Sequence, residues 1–318
     1  MPNLKDIRRR IKSVKNTQKI TQAMRMVAAA KVKRAETRMK AARPYAQALQ
    51  QMFSQVHQGL KADPDALTDT PYESLFQPRS VKRVALVILS SDRGLCGAYN
   101  TNIIRQALRR EAELLAQGVE PRLYLVGNKI TQAVKRYGKT RPLDHLTGMT
   151  AEPGVHHARL IADSLIAAYR AGEIDEIRVL STRFRSMISY QIQEEVLLPI
   201  SQENLVQAQS STEFQSGQAV SSSLHSPQVP STQSETLLEP SLASVVEALV
   251  PLYLSRSLYR LLLEATASEL AARMTAMSNA TNNAADMIGS LTVVYNKARQ
   301  TAITQEILEV VSGAQALG

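Results

Sequence analysis

From Leu4 onward, apolar or small residues fall at positions 4, 7, 11 and 14, and again at 28, 32, 35 and 39, alternately three and four apart. That spacing marks a helix whose apolar stripe packs along a second helix, as in a coiled coil. Gln18 and Thr21 interrupt the stripe, which suits a helix that changes partners along its length. Gly is absent before Gly59, and between Pro2 and Pro44 there is no Pro; with Asn3 placed to cap the first turn, a helix is predicted from about residue 3 to the mid-50s. At the other end, from Pro240 to about Val311, the only breakers are Pro251 and Gly289, and Ala, Leu, Glu, Met and Arg predominate. One helix of about 70 residues follows, on the order of 105 Å at 1.5 Å per residue. A domain of this size cannot enclose it, so the two arms are expected to pair antiparallel into a rod.

Between the arms the period changes. Residues 61–80, with Pro64, Pro71 and Pro78, form a linker after an N-terminal helix spanning 1–60. The run VALVIL at 84–89 predicts a short buried strand, and SSDRGLCGAYN at 90–100 predicts a turn into a helix over about 99–117. RLYLV at 122–126 is a second strand, followed by helical patterns at about 128–138 and 155–172 and strands at about 176–184 and 187–198. Alternation of this kind predicts a Rossmann-like open α/β sheet with right-handed crossovers, a separate domain at 81–200. Residues 201–238 hold a Ser/Gln/Thr-rich segment with little to bury and are expected to be a low-complexity insertion, with the C-terminal helix at 239–318.

Composition sharpens this outline in two places. The net charge of +10 is confined to one arm: residues 1–43 carry 14 Lys or Arg against Asp6 and Glu36. One long basic surface therefore faces something acidic, and the rest of the chain is close to neutral. Aromatics are sparse, with 4 Phe, 10 Tyr and no Trp, as suits a helical chain. The single cysteine, Cys96, excludes an intramolecular disulfide and a multi-cysteine metal site. No stretch reaches the roughly 18–20 apolar residues of a membrane span, so a soluble or peripheral chain is expected.

The motifs with chemical potential weaken under inspection. Gly94 and Gly97 between strand and helix resemble part of a dinucleotide fingerprint, but the third glycine and the later acidic residue are missing. Gly138-Lys139-Thr140 resembles the tail of a phosphate-binding loop, yet Ala133 stands where that loop needs its first glycine. His156 and His157 are adjacent, so on a helix they leave the axis about 100° apart and share a metal poorly. Cys96 reads as a small packing residue. No catalytic residue, cofactor or metal is assigned. The basic arm admits nucleic acid, anionic lipid or an acidic protein as partner; the lack of aromatic interleaving and of bulky apolar residues opposite the charge favours protein. A coiled-coil nucleic-acid-binding protein with an α/β head is the alternative.

Three segments carry a resemblance: MPNLKDIRRRIKSVKNTQKITQAMRMVAAAKVKRA at the start, SSDRGLCGAYNTNI after the first strand, and ASELAARMTAMSNATNNA with YNKARQTAITQEILEVVSGAQAL at the end. Together they closely resemble the gamma subunit of F-type ATP synthases, and the insertion with LVPLYLSRSL at 249–258 resembles the cyanobacterial and chloroplast branch. The plant chloroplast form has a redox-active cysteine pair in the insertion; this chain has none, so thiol regulation does not carry over. The resemblance implies a central rotor stalk with no active site of its own. Its helices would turn inside a ring of alpha and beta subunits, and its α/β foot would meet the epsilon subunit and the c ring. It would bind no nucleic acid and touch the membrane only through the complex, at the cytoplasmic or stromal face of an energy-transducing membrane such as a cyanobacterial thylakoid. Residue by residue, it implies that Met24 lies near the acidic lever of beta and that Arg299, Gln300 and Thr304 meet the beta catch loops. Glu269 and Arg273 would hold the helices in register, and Glu239 and Pro240 would lie in the foot near the c ring.

Overall fold

The computed structural model describes residues 4–62, 75–76, 79–200 and 241–316. Asn3, most of the 61–80 linker, the 201–238 insertion, Glu239 and Pro240 lie outside the described residues.

The chain begins with α1 (Leu4–Ala62), which runs through Pro44 as one helix. The α/β domain follows as β1 (Arg83–Leu89), α2 (Tyr99–Ala116), β2 (Glu120–Val126), α3 (Asn128–Tyr137), β3 (Asp144–Leu146), α4 (Val155–Arg170), β4 (Glu176–Ser186) and β5 (Ser189–Leu198). A second long helix, α5 (Leu242–Ala316, 75 residues), closes the chain. The strand order is β3-β2-β1-β4-β5, with β5 antiparallel to β4 and the other neighbours parallel. This is the doubly wound arrangement the alternation implied, with one strand the sequence did not reveal: β3 is three residues at the sheet edge, too short to show a period.

Every residue of Val84–Leu89 is buried because helices cover both faces of β1, which is why the run lacks alternation. On one face Leu86, Ile88, Leu123 and Leu125 pack against α2 and α3 through Ile103, Ile130 and Val134. On the other, Ala85, Val87, Leu89 and Val179 pack against Ile161, Leu165 and Tyr169 of α4. The same cluster takes in Phe53 and Val56 from the end of α1, and Val250, Tyr253 and Leu261 from the start of α5. The long helices are thus rooted in the core of the domain.

Three crossings fix the helices as antiparallel: the Phe53 and Tyr253 rings lie 4.6 Å apart, Arg256 stacks on Tyr45 at 4.7 Å, and Thr21 meets Thr281. The last corrects the expectation at Thr21. Its hydroxyl lies 2.9 Å from that of Thr281 and the residue is buried, so the polar position belongs to the seam and marks no change of partner.

Candidate functional site

Along α5 the cover changes in stages. Residues 261–270 are buried on all sides, as expected of a core helix. From Thr281, which meets Thr21 of α1, the shielded positions narrow to Thr281, Ala284, Ile288, Leu291, Tyr295, Ala298 and Ala302, three or four apart. Beyond Ala302 every described side chain is exposed, including Ile303, Ile307, Leu308, Val310 and Val311. By the antiparallel register α1 has ended there, so residues 303–316 extend past it as a free helix roughly 20 Å long.

The residues singled out on the rod have distinct places. Met24 is half-buried one turn from Thr21. Arg299, Gln300 and Thr304 are exposed where the overhang begins, and the Thr304 hydroxyl donates to the Gln300 carbonyl at 2.9 Å. Basic side chains from Lys5 to Lys40 line the exposed side of α1. Lys31 is the half-buried one, and its Nζ lies 3.6 Å from Glu152 of the α/β domain. Glu269 and Arg273 sit one turn apart on α5 and pair with each other. Burial pushes the Glu269 carboxyl up, against the opposing pull of Arg273 and then of Lys31 on α1. Its link to α1 is therefore a charge field, with the direct bond made within its own helix.

At the junction, α5 lies where a Rossmann-like sheet usually takes its ligand. Doubly wound sheets take ligands in the crevice at the carboxyl ends of the strands, where the strand order reverses, here beside β1 and β4. In this chain α5 fills that crevice: Leu89, Ser90, Ser91 and Thr150 face Leu262, Ala265, Thr266 and Glu269 across a small cleft. Tyr99 at the start of α2 donates its hydroxyl to the Ala265 carbonyl at 3.1 Å, and Thr266 donates to the Thr150 carbonyl at 3.0 Å. Thr150 is in turn held by Asp92, which accepts from its amide at 3.1 Å and its hydroxyl at 2.7 Å. Burial alone would raise the Asp92 carboxyl, but the bonds from Gly148, Thr150 and Asn128 win and hold it below the usual range. Sequence reasoning missed Tyr99, Thr150 and Thr266 because the bonds that tie them across this junction span 166 and 116 positions, and no local pattern reports them.

The remaining motifs resolve locally. The amides of Lys139 and Thr140 donate to the buried Glu111 carboxylate at 2.9 and 2.6 Å, so an internal anion occupies the loop that resembled a phosphate site. The rings of His156 and His157 meet, with their Nε2 atoms 3.0 Å apart. Burial and then the neighbouring His156 lower the His157 pKa. Cys96 is buried, and burial pushes its thiol up. Among the described residues no cluster of His, Cys, Asp or Glu could hold a metal, and no helix is long and apolar enough to cross a membrane.

The family model described as ATP synthase matches residues 3–317. Over the full length of both proteins the chain is 44% identical to the ATP synthase gamma chain of Synechococcus sp. (strain PCC 6716). It is 44% identical, again over both full lengths, to that of Nostoc sp. (strain PCC 7120). Among solved structures it resembles a chain of the Euglena gracilis mitochondrial ATP synthase in an OSCP/F1/c-ring assembly. That match has TM-score 0.63 at 17% identity and covers 99% of this chain and 94% of that one. It also resembles a chain of the Tetrahymena thermophila mitochondrial central stalk and c ring, with TM-score 0.56 at 24% identity, covering 82% and 99%. Those two likenesses concern the fold.

Proposed function

The chain belongs to the ATP synthase gamma-chain family, on its cyanobacterial branch, and from that premise we propose how it works as the central rotor stalk of a proton-translocating F-type ATP synthase. The two long helices are the shaft and the α/β domain is the foot. One observation carries the reading: α5 is rooted in the foot core at one end and runs bare past α1 at the other, displaying Ile303, Ile307, Leu308, Val310 and Val311. An exposed apolar helix end that runs past its paired helix calls for a sheath. A ring of alpha and beta subunits supplies it.

The mechanism follows from the unlike sides of the shaft. A basic face along α1 attracts the acidic lever of whichever beta subunit it passes, with Met24 beside that contact. The α5 side, rich in Ala, Ser and Thr, offers few directional bonds, so the barrier to rotation stays low. Turning the shaft presents these faces to each beta subunit in order, and Arg299, Gln300 and Thr304 engage the beta catch loops. ATP forms in the beta sites, and this chain supplies no reacting group of its own. Glu269 and Arg273 stiffen the region where the shaft leaves the foot. Glu239 and Pro240, outside the described residues, are proposed to lie near the c ring, with the epsilon subunit on the foot. The complex sits peripherally on the cytoplasmic face of an energy-transducing membrane, proposed to be the thylakoid. No comparison favours the nucleic-acid alternative.

Co-expression with alpha and beta tests this. A stable complex is expected whose ATPase activity depends on this chain and falls with Met24→Lys or on deletion of residues 296–318. Unchanged hydrolysis in both variants would remove the site assignments, and failure to form a complex would remove the rotor reading.

A further inference from the structure

Where α5 crosses the sheet, a charge cluster lies inside the protein. Arg260 on α5 donates one guanidinium nitrogen to Glu195 of β5 and another, at 3.1 Å, to Glu264 one turn along its own helix. The three side chains are 16%, 8% and 10% exposed. The other oxygen of each carboxylate is buried without a hydrogen-bond partner among the described residues. Arg183 of β4 lies within the field of both carboxylates. Burial acts to discharge Arg260, but Glu195 and Glu264 override it and keep the guanidinium charged.

Such a cluster is a poor way to gain stability, since well-packed apolar residues of the same volume would serve as well or better. It does provide direction. The apolar bed of α5 is non-directional, and the bonds of Tyr99 to Ala265 and of Thr266 to Thr150 are single neutral contacts, whereas a forked guanidinium held between a carboxylate on the sheet and one on the helix has a single geometry. We infer that Arg260, Glu195 and Glu264 form the torsional joint of the rotor, fixing the azimuth of α5 on the foot so that torque on one turns the other without slip. This rests on the rotor reading above. Arg260 is a positioning residue that reaches the nucleotide sites only through the shaft.

The experiment uses the alpha–beta complex assembled around the full chain and fixed through beta. A bead is attached to a cysteine introduced at Ile188, which is 82% exposed, while the buried Cys96 stays unlabelled. The angular variance of the bead during ATP-waiting pauses reads the compliance between gripped shaft and foot. In the neutral triple variant Glu195→Leu/Arg260→Met/Glu264→Leu, melting is expected to stay near that of the parent while the variance rises roughly twofold. Arg260→Lys keeps the charge and loses the fork, and is expected to fall between the two. A triple variant that rotates with unchanged variance overturns the joint. If that variant does not fold, unchanged variance in Arg260→Lys overturns it instead, and a rise there supports it. A parent complex that does not rotate overturns the rotor reading itself.

Discussion

The two ends of α5 are made of much the same residues and live in opposite surroundings. At 261–270 each side chain is buried among sheet, α4 and α1, while from Ile303 onward each described side chain faces solvent. Both stretches are good helix formers, so propensity does not separate them. The difference teaches that the helix is one mechanical element with two kinds of cover, one supplied by its own chain and the other left to partners. The charges of α5 divide the same way: Arg260, Glu264, Glu269 and Arg273 pair in buried positions near the foot, while Asp286, Lys297, Arg299, Glu306 and Glu309 are exposed further along.

The widest gap between the two ends should appear in unfolding. Leu262→Ala is expected to destabilise the chain by about 3 kcal/mol in urea denaturation, and Val310→Ala by less than about 0.5 kcal/mol. Equal effects would mean that the overhang is packed within the chain itself. Alkaline titration sharpens the same contrast. Burial pushes Tyr253 and Tyr124 of the foot up to about 12. Unfolded phenols ionise near 10, so the stabilisation from these groups is complete below about pH 10 and is lost as pH climbs towards 12. Phenolate absorbance should show a late-ionising group of tyrosines whose release coincides with loss of tertiary signal.

In the two-helix part, Thr21→Val is expected to cost about 1 kcal/mol, with the Thr21→Val/Thr281→Val double variant costing less than the two single changes added together. Strict additivity would deny the cross-helix bond. The smallest change in stability belongs to Ile307→Ser, within about 0.5 kcal/mol, yet that variant should be retained less well in the alpha–beta complex, as measured by gel filtration. Full retention would show that the exposed apolar end needs no sheath.

Much of this was legible in advance for a definite reason. The N-terminal seam, VALVIL and the helix after it rest on repeats of a few residues, and such repeats report which face is covered. The same logic failed at Thr21, where a polar residue looked like a gap and proved to be half of a bond to a residue 260 positions away. It missed β3 because three residues carry no period. It read His156 and His157 only as poor partners for a metal and did not reveal that their rings meet. In the candidate site, Arg299, Gln300 and Thr304 were singled out by resemblance, and only the structure shows them as exposed helix positions. The Arg260 to Glu195 pair spans 65 positions and two element types, and neither residue differs locally from any other charged residue.

The sequence by itself determined that two long helices flank a small α/β unit and that the basic charge sits on one of them, because periodicity and composition are local properties of a chain. Only the tertiary structure decided where the second helix stops being core and becomes shaft, that it fills the crevice a nucleotide would take, and which charges lock it to the sheet. Those outcomes depend on the register between distant segments, set by how side chains from both pack and pair in space.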